Sequence, residues 1–90
     1  MTVTAVVQHR VKDYDAWHEV YDGFADFQKA GGVTHERVCR GSDDPSNVLV
    51  IHRFGTLAEA KTFLSRDELR DAMRNGGVEG QPRIEIYQDA

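Results

Sequence analysis

The stretch NVLVIHRFGT, Asn47–Thr56, decides the fold. Val48, Leu49, Val50 and Ile51 place apolar side chains on both faces of an extended chain, as a central strand requires. Gly55 ends the alternation. Thr56, with Glu59 three residues later, then has the form of a capping box that starts a helix. Leu57, Ala60, Phe63 and Leu64 give that helix its apolar stripe. A break near Ser65 leads to a second short helix, Asp67 to Asn75, stopped by Gly76-Gly77.

Working outward, Gly41–Ser46 (GSDDPS) is dense in turn formers and reads as a hairpin connection. It joins the central strand to Val33–Arg40, whose many charges mark an edge strand. Thr2–Val11 alternates Val3, Ala5, Val7, His9 and Val11 on one face, a third strand. Asp13 follows as an N-cap, and Trp17, Val20, Tyr21, Phe24 and Phe27 fall on one helical stripe that runs to Gly31-Gly32. After Pro82, Arg83–Gln88 alternates as a last strand. The order β-α-β-β-α-β is the split βαβ, or ferredoxin-like, arrangement: an α+β fold with a four-stranded antiparallel sheet of order 4-1-3-2 and helices on one face. Residues 1–90 form a single domain.

A sequence echo fits that symmetry. VQHRVKDY (Val7–Tyr14) and VIHRFGTL (Val50–Leu57) carry His-Arg at the same place, followed by an apolar residue and, two residues further on, an N-cap. With strands 1 and 3 taken as parallel central neighbours, His9 and His52 are expected side by side at one height.

Composition sets the outer bounds. The chain has 90 residues, of which 40% are hydrophobic and 29% charged, a balance too apolar for disorder. Eleven Lys and Arg against fifteen Asp and Glu give a net charge of −4, which disfavours nucleic acid and anionic membranes as partners. No apolar run is long enough to span a bilayer, and the start does not read as a secretory signal. A single cysteine, Cys39, excludes an intrachain disulfide framework. Together these point to a cytoplasmic protein. A chain this short buries only about 60–65% of its unfolded surface. The sheet face opposite the helices still presents Leu49 and Ile51, so a second copy is expected to cover it.

HRVKDYDAW (His9–Trp17), DDPSNVLV (Asp43–Val50) and FGTLAEAKTFL (Phe54–Leu64) resemble the dimeric α/β-barrel superfamily, which includes antibiotic-biosynthesis monooxygenase-like proteins and small polyketide cyclases. The likeness runs over nearly the whole chain. It implies a homodimer in which two sheets pair into a barrel. It also implies a cavity between each sheet and its helices for a small aromatic or polyketide-like molecule. Members of this superfamily include cofactor-free monooxygenases, cyclases and proteins without known activity. The fold therefore names no reaction. No haem-degrading signature is present, and no cofactor is expected.

Four kinds of residue are candidates for the site. His9 and His52 share parity with apolar strand residues, and a neutral imidazole suits proton removal from a phenol or an acidic carbon. The alternative is that both are struts bonded to carbonyls or helix ends. Tyr14, placed at the head of the first helix, is the candidate catalytic partner of a histidine base. Trp17 and Tyr21 on the same helix are candidates to wall a substrate pocket, or simply core. Arg53 and Phe54 adjoin His52 and are candidate substrate contacts. Arg10 and Arg53 otherwise suit ion pairs with Glu36 or Glu85, or a carboxylate clamp. His35 joins His9 and His52 as a possible third ligand, but without HxH or HExxH spacing, so no metal site is expected. Gly76–Gly80 lacks the context of a phosphate loop and reads as a mobile connection. Two functions stay open: a cofactor-independent monooxygenase or cyclase, and a non-catalytic dimeric binding protein with structural histidines.

Overall fold

The computed structural model describes residues 2–90. Its elements are β1 (Val3–Val11), α1 (Tyr14–Asp22), α2 (Ala25–Ala30), β2 (Val33–Arg40), β3 (Asn47–Phe54), α3 (Leu57–Leu64), α4 (Asp67–Asn75) and β4 (Val78–Gln88). The sheet order β2-β3-β1-β4 is the expected 4-1-3-2 read from the other edge, and every neighbouring pair is antiparallel.

Antiparallel pairing of β1 with β3 corrects the expectation that they run parallel. The short hairpin at Gly41–Ser46 reverses β3 relative to β2, closed by Gly41 N–H to the Asn47 carbonyl at 2.8 Å. The helical crossover returns β2 parallel to β1, so β3 must oppose β1. His9 therefore lies opposite Val48, and His52 opposite Ala5. The two histidines share a face but stand four positions apart, roughly 13 Å along the strands at about 3.3 Å per residue.

Local signals set the helix starts. Asp13 accepts from the N–H groups of Asp15 and Ala16, at 3.0 and 3.4 Å. Thr56 Oγ1 accepts from the Glu59 N–H at 3.2 Å and donates to Glu59 Oε1 at 3.1 Å. The first helix does not run unbroken to Gly31. It stops at Gly23, and α2 begins after Phe24. Gly23 keeps helical dihedrals, φ −65° and ψ −12°, and its N–H closes α1 by donating to the Glu19 carbonyl at 3.1 Å. The turn stacks Phe24 on Phe27 at 4.4 Å and buries Gln28. The last strand is also longer than expected. It starts at Val78 and carries an irregularity where Gln8 pairs with Arg83 but Arg10 with Glu79. Gly80, at φ +69°, and Pro82 sit inside this bulge, where a missing N–H is tolerated.

The core lies between the sheet and the helices. One cluster joins Val3, Ala5, Phe54, Ala60 and Phe63, and the other Val7, Val11, Trp17, Val48 and Val50. The opposite sheet face carries half-buried Val6, Leu49, Ile51 and Cys39 with no layer over them among the described residues. No helix among the described residues is long and apolar enough to cross a membrane.

Candidate active site: a histidine-lined cavity

Alternation along β1 and β3 sends His9 and His52 to the helix side, where each is only 4% exposed. Both line one cavity of about 50 Å³, walled by α1, α3 and α4 through Trp17, Phe63 and Met73 among others. The lining is mainly apolar, and His9, His52, Tyr21 and Gln28 bring the polar groups to it. Neither His9 Nδ1 nor His52 Nδ1 has a hydrogen-bond partner, and both atoms are buried.

An aromatic ladder on α1 connects the two rings. His9 meets Trp17 edge-on at 5.6 Å, Trp17 stacks on Tyr21 at 5.0 Å, and Tyr21 stacks on His52 at 6.2 Å. Helical spacing produces the ladder, since Trp17 and Tyr21 are one turn apart on the same stripe. Tyr21 Oη also lies 3.1 Å from His52 Nε2 and donates to Glu36 Oε1 at 2.6 Å. Glu36 reaches this point because it pairs with His52 across β2 and β3 and so shares its face.

Burial controls the protonation of these groups. It lowers the His52 pKa to about 4, against an opposing pull from the Glu36 charge. It likewise pushes His9 below the ordinary histidine value. Burial and then the Glu36 carboxylate drive Tyr21 upward. Near neutral pH the cavity therefore holds two neutral imidazoles and a protonated phenol.

The other expected site residues fall elsewhere. Tyr14 stacks with His18 at 5.6 Å under the Arg40 guanidinium, which lies 3.7 Å from its ring centre, and makes no bond to His9 or His52. Tyr21, one pocket wall in the sequence reading, occupies the hydrogen-bonding position instead. Arg53 is one residue from His52 and so projects from the opposite face. There it donates to Thr4 Oγ1 at 2.8 Å and pairs with Asp89 at 2.8 Å. Arg10 pairs with Asp44 of the hairpin. Neither arginine meets Glu36 or Glu85. Phe54 is wholly buried in the core behind His52, at 6.4 Å from its ring. His35 pairs with Arg53 and is exposed on the far face, so the three-histidine arrangement does not form. Among the described residues no group of three or more His, Cys, Asp or Glu is placed to hold a metal ion.

Sequence reasoning missed Gln28, and gave Glu36 only as an ion-pair partner for an arginine. Gln28 is 5% exposed and shares with Tyr21 the wall between the cavity and an outer groove of about 410 Å³ along α2 and β2. Its burial depends on the turn at Gly23. Glu36 was legible only through the hairpin register, which sets it opposite His52.

No protein-family model matches the chain, and no curated protein sequence does. Solved structures do. The cofactor-independent oxygenase SnoaB from Streptomyces nogalater superposes with a TM-score of 0.80 at 13% identity, over 99% of this chain and 93% of SnoaB. A candidate antibiotic biosynthesis monooxygenase from Caulobacter crescentus gives 0.80 at 17% identity, covering 99% and 90% of the two chains. A conserved protein from Methanosarcina mazei gives 0.80 at 10%, covering 100% and 94%. At such identities the likeness is one of fold, and the chain has the ferredoxin-like fold of these proteins.

Proposed function

We propose that the chain is a cytoplasmic, homodimeric, cofactor-independent enzyme of the monooxygenase or cyclase type that acts on a small aromatic or polyketide-like molecule. His52 or His9 removes a proton from a phenol or acidic carbon. The resulting anion reacts with dioxygen in the first type, or with a carbonyl carbon of the same molecule in the second. Trp17 and Tyr21 wall the substrate. The fold shared with a cofactor-independent oxygenase supports this reading.

One observation carries it. Two nearly buried imidazoles line the same cavity, and each leaves Nδ1 unpartnered. A buried polar atom without a partner costs about 1–3 kcal/mol, which an apolar ring of similar size would not incur. A histidine serving only as a strut has both ring nitrogens bonded. His52 has Nε2 against Tyr21 Oη but Nδ1 free, His9 also leaves Nδ1 free, and these free atoms are the ones assigned to a substrate.

Cavity size defines how such a substrate sits. A cavity of about 50 Å³ holds a few water molecules, whereas sites for drug-sized ligands measure roughly 300–1,000 Å³. The reactive edge enters beside the histidines, and the remainder lies in the groove beyond Tyr21 and Gln28. The same small volume is what favours the second reading, a dimeric binding protein without catalysis.

Oxygen uptake and ultraviolet absorbance with a panel of phenols, hydroquinones and 1,3-diketones separate the two. Of His9→Phe and His52→Phe made separately, the one that removes the base is expected to lower turnover by about 100-fold or more, the usual scale of general acid–base catalysis. Turnover that survives both substitutions refutes the base assignment. Lowered melting temperatures with unchanged ligand affinity would establish the binding protein.

A further inference from the structure

We infer that Glu36 is a positioning residue: acting through Tyr21, it fixes His52 as the Nε2–H tautomer and leaves Nδ1 a bare lone pair on a ring that lines the cavity. The tautomer follows from the geometry alone. Its use as a proton acceptor rests on the function proposed above.

Counting protons gives the result. Tyr21 has one hydroxyl proton, and Glu36 Oε1 lies 2.6 Å away. A carboxylate only accepts, so that proton is committed to Glu36. Tyr21 Oη then has only lone pairs to offer His52 Nε2 at 3.1 Å. For that contact to be a hydrogen bond, Nε2 must carry the proton. A neutral imidazole has a single N–H, so Nδ1 has none. Nδ1 is also the atom left buried and unpartnered.

This assignment narrows the ligand class. A bare nitrogen lone pair accepts from a neutral O–H or N–H and repels a carboxylate. The His52 end of the cavity thus takes a phenol or enol in its protonated form. On proton transfer the ligand O–H bond breaks and Nδ1–H forms, giving an imidazolium beside a phenolate or enolate. The Nε2 proton can then move to Tyr21 Oη as the Tyr21 proton moves to Glu36. That leaves His52 neutral as the Nδ1–H tautomer and Glu36 protonated at the exposed sheet edge, where it exchanges with water. Reverse shift of the Glu36 and Tyr21 protons, together with return of the Nδ1 proton to the product oxygen, restores the starting state. No oxidant or reductant enters these steps.

Nitrogen-15 spectra of the uniformly labelled protein near neutral pH test the assignment. Couplings to the ring carbon-bound protons distinguish the two nitrogens, and His52→Phe identifies the signals. The wild-type protein is expected to show a protonated Nε2 and an unprotonated Nδ1. Glu36→Ala removes the acceptor, frees the Tyr21 hydroxyl to donate to Nε2, and is expected to switch His52 to Nδ1–H. Wild-type protein with Nδ1–H overturns the assignment, whatever the behaviour of the variant. So does an unchanged tautomer in folded Glu36→Ala. If the tautomers behave as expected but no phenol or diketone is turned over, the proposed enzyme function fails while the role of Glu36 stands.

Discussion

His52 is neutral because it is buried, so acid should work against the fold through this residue. Its pKa is near 4 in the folded chain, against about 6.5 when unfolded. Between those values the unfolded state binds more protons than the folded state. Stability therefore rises with pH across this window, and the His52 contribution is lost as pH falls from 6.5 to 4. The pKa difference corresponds to a loss of roughly 3 kcal/mol. His9, lowered for the same reason, adds in the same direction. Urea unfolding at stepped pH checks this: the midpoint should fall across the window, and His52→Phe should flatten the fall. That variant should also match or exceed wild-type stability near neutral pH, because it removes an unpartnered buried nitrogen. An equally steep fall in His52→Phe would place the acid sensitivity elsewhere.

The ladder from His9 to His52 depends on how α1 is started. Asp13 caps the helix that carries Trp17 and Tyr21, and Asp13→Ala should cost about 1 kcal/mol, within a range of roughly 0.5–2. Thermal unfolding measures the cost. A variant as stable as wild type would show that packing, not the cap, fixes the start of α1. Much of this architecture was legible in the sequence. Strand alternation assigned His9 and His52 to one face, and Thr56 and Asp13 marked the helix starts as observed. Relations between elements were less legible. Treating β1 and β3 as parallel put the histidines side by side, whereas the hairpin reverses β3 and sets them at two ends of a cavity. Tyr14, at the head of the first helix, is the sequence's candidate partner for a histidine base. The geometry favours Tyr21, because one helical turn beyond Trp17 reaches His52. Glu36 and Gln28 carry no motif, and only the register and the turn at Gly23 bring them to the site.

Taken whole, the chain has one covered sheet face and one open one. Val6, Leu49, Ile51 and Cys39 lie on the open face, with Arg37, Arg53 and Tyr87 around them. The described helices form a single layer, on the other face. A second copy, face to face, would bury these residues and close the barrel, giving a dimer with a histidine cavity under each outer helix layer. Ile51→Arg would place a charge at the centre of that contact and should shift the equilibrium toward monomer while leaving the cavity side untouched. Pairing of two copies into a barrel, as in the function proposed above, is tested most directly by sedimentation velocity at micromolar concentration. The expected result is a species of twice 10.2 kDa for the wild-type chain, and a lighter one for Ile51→Arg. A stable wild-type species of 10.2 kDa at that concentration would contradict it.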